Sequence, residues 1–177
     1  PRGFSSAVLI QNTNESVAII FVAMAQTLPV LIGGLDLSVG AVMTLTNCVA
    51  SELLNGTPAE MLLGALVTLA CGAAFGCVNG LIVVYGRIQP IITTLATGAV
   101  AIGLALLIRP RPGGDVDSDL SWAMTNTVFD FTETYGLAKG GEAAWLQPFA
   151  SIPVPLLIVL AVVLLIWIPF RNTQTGR

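Results

Sequence analysis

The chain has 177 residues, of which 55% are hydrophobic and 10% charged, and a formal net charge of −3; soluble domains carry roughly 25% charged residues, so water is not its main solvent and an all-α, polytopic transmembrane helical bundle is expected. The seven Lys and Arg residues are scattered, which leaves no basic stripe to neutralise phosphates and argues against nucleic acid as a partner. Histidine is absent, excluding histidine-based metal sites and a histidine general base, and Cys48, Cys71 and Cys77 sit inside apolar runs as small hydrophobes.

The chain starts at Pro1 and ends at Arg177, directly after an apolar segment, and is expected to be cut at both ends. Residues 1–16 show neither a charged leader nor a cleavage site, so the sequence is treated as mature protein. A first membrane span is expected over residues 17–33, apolar apart from Gln26 and Thr27, with Pro29 placed to kink it and Gly33-Gly34 as a helix break. A second follows Asp36 over residues 37–54 and stops at Asn55-Gly56. Thr57-Pro58-Ala59-Glu60 combines a capping hydroxyl, a proline at the first helical position and a glutamate three residues on. That is a capping box, and it opens a third span over residues 60–85.

Arg87-Ile88-Gln89-Pro90 interrupts the pattern before a fourth span over residues 91–108, which ends at Arg109 and Arg111. Residues 110–151 are polar and rich in Gly and Asp, with aromatic patches at 122–131 and 145–149, and read as an extramembrane loop. Pro153-Val154-Pro155 opens a fifth span over residues 154–170. Arg87, Arg171 and Arg177 fall on one side of the membrane and Arg2, Arg109, Arg111 and Lys139 on the other, a split too even to set orientation by charge.

The stretch Gly33-Gly34-Leu35-Asp36-Leu37-Ser38-Val39-Gly40 places a carboxylate and a hydroxyl between two spans. A charge at a span centre costs roughly 2.5–3.5 kcal/mol even on insertion scales, so such residues face a bundle interior or a water-filled path. The alternative is that Asp36 caps the second span from the aqueous surface. Both readings stand on the residues alone.

In the third span Gly64, Thr68, Gly72, Gly76 and Gly80 recur every four residues, forming a small-residue ridge for helix packing in lipid. Asn79, beside that ridge, either bonds across to another helix or lines a path. Thr93, Thr94 and Thr97 are expected to satisfy themselves on their own helix carbonyls. The Gln89-Pro90 break is either an ordinary turn or a helix start sunk into the bundle. No GxSxG, HExxH or phosphate-loop pattern occurs, so no catalytic residue, metal or cofactor is assigned to this chain.

From Gly33 onward the sequence resembles the permease subunits of ribose-type sugar ABC importers, within the superfamily that includes branched-chain amino acid permeases. GGLDLSVG stands for the family's GGIDLSVG, and Gly76 to Tyr85 resembles GxxNGxLVxY. Arg87 to Leu95 resembles RIPPFIVTL, with Gln89 in place of the first proline; Ile152 to Pro155 matches IPxP, and Arg171 to Arg177 resembles RxTxxGR.

The resemblance implies roughly half of a permease of about ten spans, with one preceding span and the second half outside the chain. It implies a second permease subunit, cytoplasmic ATPase subunits holding ATP and Mg, and a periplasmic solute-binding protein, in a bacterial inner membrane. Residues 110–151 would then be periplasmic. Asp36, Ser38, Asn79, Gln89 and Thr93 are the substrate-path candidates, and a monosaccharide is the expected solute. An amino-acid or nucleoside importer is the alternative within the superfamily, and an ion-coupled transporter or membrane scaffold the alternative outside it.

Overall fold

The computed structural model describes residues 6–130 and 152–169. The 145–149 patch, Lys139, the last residue of the expected fifth span and the Arg171 to Arg177 tail lie outside the described residues. The helices in chain order are α1 (Ser6–Leu31), α2 (Val39–Leu53), α3 (Pro58–Gly86), α4 (Pro90–Ile108), α5 (Ser118–Thr125) and α6 (Val154–Val162), the last continuing as a π-helical turn over Val163–Trp167. The protein is an all-α helical membrane bundle.

Ile10–Leu31, Pro58–Gly86 and Pro90–Ile108 are long and apolar enough to cross a membrane. α2, with 15 residues, is about 22 Å long at the 1.5 Å helical rise, short of a hydrocarbon core of about 30 Å. The expected bounds shift most at α1, which starts at Ser6 rather than at residue 17. Its polar first turns stay helical because their side chains bond back to the helix. Ser16 Oγ donates to the Asn12 carbonyl at 2.7 Å, and the Gln11 amide donates to Glu15 at 3.2 Å.

Residues 23–118 form one compact unit and the described parts of 1–22 and 119–177 another. In the first unit, α2 packs against both α4 and α3. Its core is Leu45 of α2 with Ala101 and Ala105 of α4, flanked by Ala41, Val42, Cys48, Val49, Cys71 and Phe75. Small residues at this interface let the backbones approach closely. Outward faces are apolar too: Leu69 of α3 is 71% exposed and Leu107 of α4 is 79% exposed. Burying such surface is worth roughly 25 cal/mol per Å², so these faces belong against lipid or further helices rather than water.

The capping box at α3 is present as read. Thr57 N–H donates to Glu60 Oε2 at 2.7 Å, and Glu60 N–H donates to Thr57 Oγ1. α3 ends at Arg87 in the left-handed region, φ 51°. At the far end of α2 and α4, Arg109 pairs with Glu52 at 2.5 Å and also donates to the Gly113 carbonyl.

In the second unit, a short antiparallel bridge joins Thr127 to Pro153, with Val128 N–H on the Ile152 carbonyl at 3.0 Å. Thr127 N–H and Oγ1 both donate to Asp130 Oδ2, at 2.9 and 2.6 Å. The Asn14 amide of α1 donates to the Thr125 carbonyl at 2.8 Å.

Candidate translocation-path site

α1 ends just before a glycine pair that bends the chain. Gly33 takes φ +75°, a conformation glycine adopts freely, and Gly34 N–H returns to the Pro29 carbonyl at 2.8 Å. A Cβ on Gly34 would stand 3.3 Å from Pro90 Cγ, so the break between α1 and α2 is tucked against the start of α4. Pro90 occupies the first turn of α4, where its missing N–H costs nothing. Of the two readings of Gln89-Pro90, the contact with Gly34 fits a helix start seated in the bundle.

The residues after the break are held from three directions. Ser38 N–H and Ser38 Oγ both donate to Asp36 Oδ1, at 2.8 and 2.6 Å. Asp36 therefore bonds the residue before α2, and the N-cap Ser38 makes no side-chain capping bond to the first turn. From α3, Asn79 Nδ2 donates to Ser38 Oγ at 2.9 Å. From α4, Thr94 Oγ1 accepts the Leu37 N–H at 3.0 Å.

Burial is deep for polar groups. Ser38 is 1% exposed, Asn79 7%, and Thr93 and Thr94 4% each. Asn79 Oδ1 and Thr93 Oγ1 are buried with no hydrogen-bond partner among the described residues, and so is Gln26 Oε1 of α1. Leaving such a group unpaired typically costs about 1–3 kcal/mol, so Asn79, which bonds Ser38, and Thr93, next to Thr94, each carry unused hydrogen-bonding capacity. Self-satisfaction on the helix holds for Thr97, which bonds the Thr93 carbonyl at 3.1 Å. It holds for Thr94 as well, whose hydroxyl donates to the Ile91 carbonyl at 3.4 Å while accepting the Leu37 N–H, and it fails for Thr93.

Of the sequence candidates, Asp36, Ser38 and Asn79 are joined in one hydrogen-bonded set, with Gly34 and Pro90 in contact nearby. Thr93 is adjacent in the chain to Thr94, and Gln89 is exposed at the cap of α4. The glycine ridge of α3 is used unevenly. A Cβ on Gly64 would lie 2.6 Å from the Leu53 carbonyl oxygen and one on Gly72 would lie 3.6 Å from Thr46 Cγ2, while Gly76 and Gly80 have nothing within 4 Å among the described residues.

Thr94 and Gly98 are the site residues that sequence reasoning passed over. A Cβ on Gly98 would meet Ser38 Cα at 3.4 Å, so glycine there lets the two backbones touch. The signal was available: Thr94, Gly98, Ala101 and Ala105 recur at helical spacing and all are buried.

Comparison with known proteins bears on what such a site serves. Residues 8–177 match the family described as branched-chain amino acid transport system / permease component. The chain belongs to this permease family. Among its curated relatives, the fructose import permease protein FruG of Bifidobacterium longum (strain NCC 2705) is 34% identical over 176 residues, 99% of this chain and 47% of the relative. The autoinducer 2 import system permease protein LsrD of Escherichia coli (strain K12) is 29% identical over 178 residues, 100% of this chain and 49% of the relative. This permease-family chain therefore spans about half the length of the curated relatives it matches. No solved structure matches it.

Proposed function

We propose that this chain is part of a permease subunit of an ABC importer in a bacterial inner membrane, moving a small polar solute inward by alternating access. The solute is most simply a monosaccharide, in line with the fructose and autoinducer 2 importers among its relatives. ATP and Mg are held by separate cytoplasmic ATPase subunits; a second permease subunit completes the path, and a periplasmic binding protein delivers the solute. An amino-acid importer is the second reading, favoured by the family's description as a branched-chain amino acid transport system.

The observation that carries the reading is the Asp36–Ser38–Asn79 set at the break between apolar helices, in which Ser38 and Asn79 are buried and Asp36 is half-buried. Helix breaks with polar backbone and side chains survive at membrane depth where they are enclosed by protein or face a cavity, and transporters place substrate sites at such breaks. Asp36, Ser38, Asn79 and Thr93 are the path residues under this reading, with Gln89 at the rim.

The test is solute uptake and coupled ATPase activity of the assembled, full-length transporter carrying Asp36→Asn or Ser38→Ala. Both activities should fall. Wild-type values in both variants would remove this motif from the path.

A further inference from the structure

The start of α2 does not hold itself in place. Its N-cap residue Ser38 has helical φ and ψ and makes no side-chain bond to the first turn, since its hydroxyl donates to Asp36. What ties the break to the rest of the bundle is one hydrogen bond from each neighbour, Asn79 Nδ2 to Ser38 Oγ from α3 and Leu37 N–H to Thr94 Oγ1 from α4. Around these bonds the seat is close-packed at backbone level, through Gly98 against Ser38 and Gly34 against Pro90.

Two buried atoms go unsatisfied on or beside the residues that make these bonds: Asn79 Oδ1, on Asn79 itself, and Thr93 Oγ1, on the residue before Thr94. Both would gain partners from water if the seat opened, and neither gains anything while it stays shut. Two bonds made against two polar atoms left unpaired means that hydrogen bonding by itself does little to favour the closed arrangement.

We propose that Thr94 and Asn79 are positioning residues forming a two-point latch on the helix break, and that release of this latch is the local step by which the α2 start moves during turnover. This rests on the transport reading above for its role in turnover, but the latch itself is a property of the chain. Thr94 acts through its hydroxyl, as the acceptor for an amide that has no helical partner, and Asn79 acts through its amide group on Ser38.

The test uses full-length protein in membrane vesicles, with every native cysteine, Cys48, Cys71 and Cys77 among them, replaced by alanine and Thr93→Cys as reporter. Thr93 is 4% exposed and its hydroxyl makes no bond, so the thiol gives up no hydrogen bond. N-ethylmaleimide labelling of this thiol should be slow. Thr94→Val should speed it about tenfold, as expected for losing one buried hydrogen bond, and Thr94→Ser should restore the slow rate. Asn79→Leu should accelerate labelling independently and decides the matter if Thr94→Val does not accumulate. In the assembled transporter, Mg-ATP should accelerate labelling with both latch residues intact.

Unchanged labelling in Thr94→Val and Asn79→Leu, or equal acceleration by Thr94→Val and Thr94→Ser, would overturn the latch. Fast labelling in the reporter background would do the same, and labelling indifferent to Mg-ATP would remove its role in turnover. Absence of solute uptake would instead defeat the transport reading and leave the vesicle labelling rates as they are, because no solute enters that assay.

Discussion

Replacing the ridge glycines of α3 one at a time by alanine grades the helix contact by distance. At Gly64 the added Cβ would lie 2.6 Å from the Leu53 carbonyl oxygen and 2.9 Å from its carbon. Ordinary carbon–oxygen approach is about 3.3–3.6 Å even in favourable C–H···O contacts, so α2 and α3 must separate by roughly 0.7–1 Å. A gap of that size forfeits about a quarter to a half of each affected dispersion contact, and overpacking of this kind costs about 1–3 kcal/mol. Against this stands the gain of about 1 kcal/mol from the better helix former. Gly72→Ala brings Cβ to 3.6 Å from Thr46 Cγ2, ordinary contact, and Gly76→Ala meets nothing within 4 Å. Both should therefore be neutral or stabilising. Chemical unfolding in detergent micelles, followed by helical circular dichroism, should rank Gly64→Ala about 1–3 kcal/mol below Gly76→Ala. A Gly64→Ala variant as stable as Gly76→Ala would refute the close approach of α3 to the end of α2.

At the start of α3, Thr57→Ala removes both bonds of the Thr57 hydroxyl, leaving only the residue 57 N–H on Glu60, and should lower stability by about 1 kcal/mol, read in the same unfolding experiment; no change would mean that the hydroxyl is redundant. The Arg109–Glu52 pair has side chains 17% and 52% exposed, so a double-mutant cycle with Arg109→Gln and Glu52→Gln should give a coupling of at most about 1 kcal/mol that shrinks with added salt. The Asp130 carboxyl is held below its ordinary value of 3.8 chiefly by the Thr127 hydroxyl, then by the Thr127 amide. A lowered folded value means its contribution is fully present above the ordinary value and is lost as pH falls through the folded one. Thr127→Val should therefore raise the Asp130 titration midpoint, measured by carboxyl carbon chemical shift, and an unmoved midpoint would exclude the hydroxyl as the cause.

Much of this protein is legible residue by residue. Composition alone placed it in lipid, since leucines such as Leu69 and Leu107 have no polar counterpart to turn toward water. The capping box at Thr57 and Glu60, the glycine break at Gly33-Gly34 and the proline at the start of α4 are local devices whose partners lie within a few residues, and they are found where the sequence puts them. The ordered markers from Gly33 onward pointed to the permease family to which the chain belongs.

What the sequence leaves open is which surfaces meet. Four-residue spacing makes a ridge of Gly64, Gly72, Gly76 and Gly80, but spacing says nothing of what faces it, and only Gly64 comes within overlap distance of a neighbouring backbone. Asn79 reaches Ser38 across 41 positions and Thr94 reaches Leu37 across 57, separations over which no local periodicity carries information. Thr94 looks in sequence like any threonine able to bond its own helix. Only the packing of α4 beside the break turns its hydroxyl toward a backbone amide that the helix start leaves without a partner.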